Sequence, residues 1–457
     1  MKVCINAKQV ILPTIISIAF FLLGIKMLSY ISEGVVESIL SIIVLDTVIV
    51  FFIKTTRIEE YTGKICSKAV LLCTVIALFN VFFGEYVVYK DFINGHSNVI
   101  SNHYEHNLMF TQMSQVAKNV QNGISFFSAG DGIHFDQYYH IFMYCSVLFI
   151  FGGINVTLMS VWGTLHLFFV AAYAVMIAKR MHVNGFEKYN FIFWVALLQP
   201  LFMATNTFNK VVIGESIVML ALYIYASSYE KPVKCCCLFP IYAFLLWIVR
   251  LQYIVVAIAI CLCSAFFSHS EDTKRDNVGR IMAIGVIIIC CLFAFTKIDL
   301  SSYISQDLNF DVYMGNTSYD ILSLFKRFII SFLPYFPVTH LFDDPHWSYG
   351  LAGALQIPIN LSLIAILVSD LYRNRRLVEI IKNPLIISIM IFYMSGFLSA
   401  VHVTYISVGM PLMAIVYQDY EKSKYRKYIF AFFILYVVSS LIYEILGLRG
   451  SGMLFFG

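Results

Sequence analysis

Long apolar runs recur from residue 10 to residue 446, and no polar stretch between them is long enough to form a separate domain. A helix that crosses a bilayer needs about 20 apolar residues, somewhat fewer when polar residues flank it. By that measure the pattern predicts crossings near 10–28, 34–53, 66–84, 154–178, 190–205, 210–227, 235–250, 251–267, 281–296, 349–369, 385–401, 403–418 and 428–446. The expected fold class is all-α: a polytopic transmembrane helical bundle of about 13–14 spans. It forms a single integral membrane domain over residues 1–457. The first run lacks a small-residue cleavage site and reads as a retained helix. Lys26, near its end, can snorkel to the interface.

Basic residues set the expected orientation, because Lys and Arg concentrate in cytoplasmic loops. They cluster at Lys2 and Lys8, from Lys54 to Lys68, at Lys179, Arg180 and Lys188, from Lys274 to Arg280, from Arg373 to Arg376, and from Lys422 to Lys427. All these clusters face the cytoplasm if the N-terminus does. The run from Tyr138 to Gly152 is the exception. It is apolar but short, and a full crossing there would turn the Lys179 cluster outward. It therefore reads as a half-span or interfacial helix ended by Gly152 and Gly153, the alternative being a fourteenth crossing that breaks the charge rule.

Two long loops fall on the non-cytoplasmic side, at about 85–137 and about 297–349. The first carries His96, His103, His106, Asp131, His134 and Asp136. The second holds an amphipathic piece with Lys326 and Arg327, then Pro334, Pro337, His340, Asp343, Asp344 and His346. Both are expected to pack on the membrane face as short interfacial helices. Loops held by a rigid scaffold are where functional residues concentrate.

Composition agrees with the pattern. The chain is 60% hydrophobic and 13% charged, with a mean hydropathy of +0.80, far too little charge to cover the surface of a soluble protein. A net charge of +4 is too small to argue for nucleic acid. The eleven cysteines fall largely in or beside apolar runs, including Cys235, Cys236 and Cys237. There they read as small hydrophobes rather than a disulfide framework. No zinc-ligand spacing occurs, and no metal site is expected.

Ionisable residues inside apolar runs are costly and mark functional positions. The run CCCLFPIYAFLLWIVRLQYIVVAIAICLCSAFF is too long for one helix and fits two, with Arg250 at the turn between them. An Arg there can fork two hydrogen bonds to a phosphate or carboxylate, or serve as an interfacial anchor. In TNTFNKVVIGESIVMLALYIY, Lys210 opens a helix and Glu215 lies more than a turn deeper. A helix N-terminus with a Lys is a natural anion site. Glu215 reads as a base or as an ion-pair partner. In SAGDGIHFDQYYH, Asp131 occupies a Gly-flanked turn and Asp136 follows it. Each carboxylate could deprotonate a hydroxyl, and Asp131 reads equally as an ordinary Asp-Gly turn. His402 and Tyr405, in the turn AVHVTYISVGMP, are either helix caps or substrate contacts.

These features together resemble bacterial polysaccharide repeat-unit polymerases, the Wzy-type O-antigen and capsule enzymes and their EpsG-like relatives, and more widely the GT-C glycosyltransferases. The stretches that carry the resemblance are GDGIHFDQYYHIFMYCSVLFIFGGINVTLMSVWG, LLQPLFMATNTFNKVVIGESIVMLALYIY, FLLWIVRLQYIVV and the basic piece KRFIISFLPYFP. His402 stands in the last outer turn where the usual pattern has an Arg. The resemblance implies a GT-C-like bundle in the bacterial inner membrane, with its active site facing the periplasm or outside. It implies that a sugar hydroxyl on one undecaprenyl-diphosphate-linked oligosaccharide attacks the anomeric carbon of another, with the lipid diphosphate leaving. Arg250, Lys210 and Arg327, with Lys326 behind them, would stabilise the diphosphate, and Asp136, Asp131 or Glu215 would act as base. His402, Tyr405 and His340 would contact substrate. Basic side chains can neutralise the diphosphate, so neither a metal nor a cofactor is expected. Membrane lipids and a chain-length regulator are further expected partners.

Two other classes compete. A flippase for the same lipid-linked sugar would more often show repeat symmetry and broken helices. A membrane acyltransferase would need a His-based site in a cytoplasmic loop, and nothing around His182 or His269 reads as one. Nearer to the favoured reading is a glycosyltransferase that adds one sugar from a polyprenyl-phosphate donor.

Overall fold

The computed structural model describes residues 8–30, 35–58, 75, 104–133, 139–153, 156–180, 210–229, 231–250, 253–267, 277–286 and 288–289, with single residues at 386, 388, 389, 412, 415, 431, 434, 435 and 438. Among the described residues every regular element is helical. In chain order these are α1 (Lys8–Leu28), α2 (Val35–Thr56), α3 (Tyr104–Gln121), a short 3-10 turn (Phe126–Ser128), α4 (Tyr139–Gly152), α5 (Val156–Arg180), α6 (Lys210–Ala226), α7 (Pro232–Val249), α8 (Ile254–Phe267) and α9 (Asn277–Val286). Four of them contain segments long and apolar enough to cross a membrane: Gln9–Leu28, Val36–Thr56, Val161–Arg180 and Pro232–Val249. Shorter apolar helices stand at α4, α6, α8 and α9. The chain is therefore a membrane protein by the length and composition of its helices. The expected crossings near 66–84, 190–205, 349–369, 385–401, 403–418 and 428–446 lie wholly or mostly outside the described residues.

Several helices run past their expected ends for local reasons. α2 continues to Thr56 because the hydroxyls of Thr55 and Thr56 donate to the carbonyls of Phe51 and Phe52 at 2.7 Å, so two polar residues bring their own acceptors. α7 begins at Pro232, ahead of residue 235. A proline at the first helical position lacks only an N–H that would have no partner within the helix.

α1 and α2 form a hairpin, and α5 packs across it. Thr14 Oγ1 on α1 lies 2.8 Å from Tyr173 Oη on α5. Phe52 on α2 meets Phe168, Phe169 and Tyr173 of α5 in one aromatic cluster. α5 is almost wholly buried, with Trp162, Leu165, Phe168 and Tyr173 all in the core. α6 packs on α5, α7 on α6 and α8 on α7, so the bundle grows helix by helix from the hairpin. Leu12, Ile15, Leu23, Ile39 and Ile43 of the hairpin stay exposed among the described residues. A row of aliphatic side chains suits a face that meets hydrocarbon rather than water.

The bundle has two distinct ends. At one, α2, α5, α6 and α8 finish while α1, α7 and α9 begin. Arg180 donates to the carbonyl of Ala226 at 3.3 Å, Lys234 to that of Ser227 at 3.5 Å, and Arg280 to that of Ala265 at 3.4 Å. Each cation bonds a carbonyl at the last turn or just past the end of a helix, where the backbone is partly negative. Among the described residues, Lys54, Lys179, Arg180, Lys234 and Arg280 thus lie at one end of the bundle, while the clusters at 373–376 and 422–427 lie outside the described residues.

α4 keeps to the opposite end. Its first turns meet α6 and α7, where Ile141 and Val249 both border the space at Gly214. Its last residue meets α1 and α5, where Gly152 lies against Ile25 and Leu158. Ile25 is in the last turn of α1, Leu158 in the first turn of α5, Gly214 in the second turn of α6, and Val249 closes α7. All four contacts are at the same end, so α4 lies across the helix ends instead of running parallel to them. Gly152 and Gly153 end it by different means. A Cβ at residue 152 would come within 2.5 Å of both Ile25 and Leu158. Gly153 takes φ +77° and donates to the carbonyl of Phe149 at 3.0 Å, the left-handed cap that glycine adopts without strain. α3 packs along α4, with Phe110 edge-on to Phe149 at 5.2 Å.

Candidate active site

The turn between α7 and α8 carries Arg250 at the end of the bundle where α4 lies. Arg250 caps α7 with extended backbone angles (φ −161°, ψ 136°), and its N–H donates to the carbonyl of Leu246 at 3.1 Å. Its own carbonyl accepts from Tyr253 N–H at 3.0 Å, which starts α8. The turn is thus fixed on both sides of the residue. Arg250 is only 4% exposed. Its cation is drawn into the protein, unlike a surface anchor stretched toward headgroups.

α6 brings the first carboxylate to the same place. A Cβ at Gly214 would stand 2.9 Å from Val249 Cγ1 and 3.3 Å from Ile141 Cδ1. Residue 214 must be small for α4, α6 and α7 to meet. Glu215 and Arg250 each follow a residue of that contact in the chain. Glu215 is fully buried, as expected for a carboxylate facing the bundle interior. Lys210 opens α6 at the same end. The N-terminus of α4 closes the junction, with the His140 ring 4.1 Å from that of Trp247 on α7.

Asp131 occupies a different environment. Its N–H donates to the carbonyl of Ser128 at 3.1 Å, Gly132 follows with φ +78°, and the side chain is exposed. This is the geometry of a solvated Asp-Gly turn. Asp136, Lys326, Arg327, His340, His402 and Tyr405 lie outside the described residues. Among the described residues, no group of three or more His, Cys, Asp and Glu is arranged to hold a metal ion.

One polar constellation escaped the sequence reading. His166, in the middle of α5, is 2% exposed. Its Nδ1 lies 2.5 Å from Ser216 Oγ on α6, and its Nε2 lies 3.3 Å from Tyr144 Oη on α4. Ser216 Oγ in turn donates to the carbonyl of Ile213 at 2.8 Å. A neutral imidazole offers one donor and one acceptor, and this chain uses both. With the Ser216 proton on Ile213, Nδ1–H donates to Ser216 and Nε2 accepts from Tyr144. Trp162 stacks edge-on to the ring at 4.6 Å. The chain ties α4, α5 and α6 together one residue beyond Glu215. The rule that singled out Arg250, an ionisable group inside an apolar run, also finds His166.

No protein-family profile, curated protein or solved structure matches this chain.

Proposed function

We propose that this chain is a membrane glycosyltransferase that joins oligosaccharide units carried on undecaprenyl diphosphate, acting at the end of the bundle where α4 lies. The observation that supports this reading is that the helix carrying the buried Glu215 and the helix ending at the buried Arg250 pack together at Gly214 and Val249, where the start of α4 also packs. The basic residues described at the opposite end, among them Lys54, Lys179, Arg180 and Arg280, support a cytoplasmic assignment there, and in the proposed reading the junction faces the outer side of a bacterial inner membrane.

The chemistry follows from the charges. The bond between the anomeric carbon and the diphosphate oxygen breaks as a sugar hydroxyl of the second unit attacks that carbon. The hydroxyl proton passes to a carboxylate, and the electron pair leaves with the diphosphate. Arg250 and Lys210, with Arg327 and Lys326 from the second loop, neutralise the charge that develops there. Asp136, just ahead of α4, remains the first choice of base. Of the two candidate carboxylates that are described, Glu215 has the burial that suits a base better than the exposed Asp131 has. His340, His402 and Tyr405 remain proposed sugar contacts. The GT-C likeness of the bundle is part of this proposal.

Deleting the gene and resolving surface polysaccharide by length tests the reading. A polymerase leaves single repeat units where wild-type cells make a ladder. Loss of one sugar from an otherwise intact unit points instead to a single-sugar transferase with a polyprenyl-phosphate donor.

A second reading, movement of the lipid-linked sugar without chemistry, draws support from His166 and Glu215. Buried ionisable residues inside apolar helices also line proton-coupled paths. Translocation of a labelled lipid-linked sugar in liposomes, with no change in its length, would favour it.

A further inference from the structure

We propose that Cys236 and Cys261 form an oxidisable dithiol, a modification site that joins α7 to α8. It lies at the basic end of the bundle, away from Arg250, and does not rest on the reaction above. The sulfur of Cys236 is 3.7 Å from that of Cys261, and the two residues are 4% and 2% exposed. The Cys236 thiol also lies 3.6 Å from the carbonyl of Gly279 on α9, and Cys235 lies 3.6 Å from Tyr242 Oη. The cysteine-rich start of α7 thus faces a second cysteine helix and the backbone of a third.

The packing around the pair is tight enough to hold the sulfurs together. Gly279 lies directly against Pro232, and Ser264 on α8 donates to the carbonyl of Tyr229 at 2.6 Å, just ahead of α7. α7 and α8 are consecutive antiparallel helices held at this end as well as at the Arg250 turn. A disulfide bond is about 2.05 Å long. Closing the gap requires the sulfurs to approach by roughly 1.7 Å, and rotation about the Cα–Cβ bonds is the proposed means of bringing them together. Buried cysteines are inert mainly because thiolate and oxidant are both kept away from them. Here the pair is buried in an apolar helix layer, which an oxidant that dissolves in hydrocarbon enters and a charged one does not.

The oxidant is an organic hydroperoxide, the class formed when lipid chains are oxidised. The sulfur of Cys236 attacks the peroxide oxygen, the O–O bond breaks, and the products are a sulfenic acid on Cys236 and an alcohol. The sulfur of Cys261 then attacks the sulfenic sulfur, the S–O bond breaks, and water leaves with the Cys261 proton. In sum, two thiols and one hydroperoxide give one disulfide, one alcohol and one water.

The test uses the full chain in lipid nanodiscs treated with tert-butyl hydroperoxide. Remaining thiols are alkylated after denaturation and the protein is mapped by peptide mass spectrometry. The expected result is a peptide pair linked through Cys236 and Cys261, lost on reduction, absent from Cys236→Ala and Cys261→Ala, and retained in Cys237→Ala. Recovery of both cysteines separately alkylated, under conditions that oxidise the exposed Cys237, overturns the proposal. So does a link from either one to another cysteine. Wild-type protein provides a control free of folding defects. Phenylarsine oxide, which bridges adjacent thiols, should protect Cys236 and Cys261 from alkylation together, and protection of neither contradicts the dithiol.

Discussion

Val249 Cγ1 would stand 2.9 Å from a Cβ at Gly214, so the helix bearing Glu215 reaches the helix ending at Arg250 only because residue 214 has no side chain. Gly214→Val should wedge α6 from α7 and destabilise the protein by about 1–3 kcal/mol, the usual result of overfilling a packed contact. Val249→Ala in the same chain should restore part of the loss, since the two residues share one space. Thermal unfolding of the four proteins in detergent checks this. Additive losses in the double variant would mean that residues 214 and 249 are not in contact.

Arg250→Ala should insert normally and lose product by about 10²- to 10³-fold, the range for removing a group that stabilises charge in the transition state. Arg250→Lys should recover little, because a point charge does not replace a guanidinium fork on a diphosphate. The readout is polysaccharide chain length in complemented cells, normalised to membrane-inserted protein. Normal chain length with Arg250→Ala would reduce Arg250 to a structural cap of α7.

Removing the His166 ring should unsettle three helices at once. His166→Leu leaves Tyr144 and Ser216 without their shared partner, at a cost of about 1–3 kcal/mol. Ser216→Ala should also destabilise, since it leaves the buried His166 Nδ1–H without its acceptor. Combining the two should cost less than the sum. Melting temperatures of the three variants measure the coupling, and strict additivity would show that His166 and Ser216 do not interact.

A reporter enzyme fused near Asn98 should be active only when that point lies outside the cytoplasm. The basic ends of α2 and α5 hold the opposite side of the bundle. Cytoplasmic labelling near Asn98 would invert the topology and move the Arg250 junction to the wrong face for an undecaprenyl-diphosphate substrate displayed outside.

Much of this architecture is legible in the sequence because one-dimensional signals carry it. The ends of α1, α5 and α6 follow from apolar run length. Gly152 and Gly153 mark the stop of α4, and a charge inside an uninterrupted apolar run locates Arg250 at a helix break. The position of α4 across the helix ends is less direct. Its shortness and the Lys179 cluster suggest that it does not cross, but only the contacts of Ile141 and Gly152 show which helices it bridges. The close packing of α6 on the end of α7 has no sequence signal, because it depends on a gap at Gly214 that another helix fills. His166 was hidden for a different reason: one imidazole barely lowers the hydropathy of a 25-residue helix, and its partners come from two other helices.

The most direct test of the central claim is the product made by the purified chain from undecaprenyl-diphosphate-linked repeat units in detergent, without added nucleotide or metal. The account predicts a ladder of joined units. It predicts that Asp136→Asn reduces the ladder by a factor of about 10² to 10⁴, as loss of a general base does, and that Arg250→Ala reduces it by about 10² to 10³. Substrate recovered unchanged in length from active, correctly inserted protein would contradict the account.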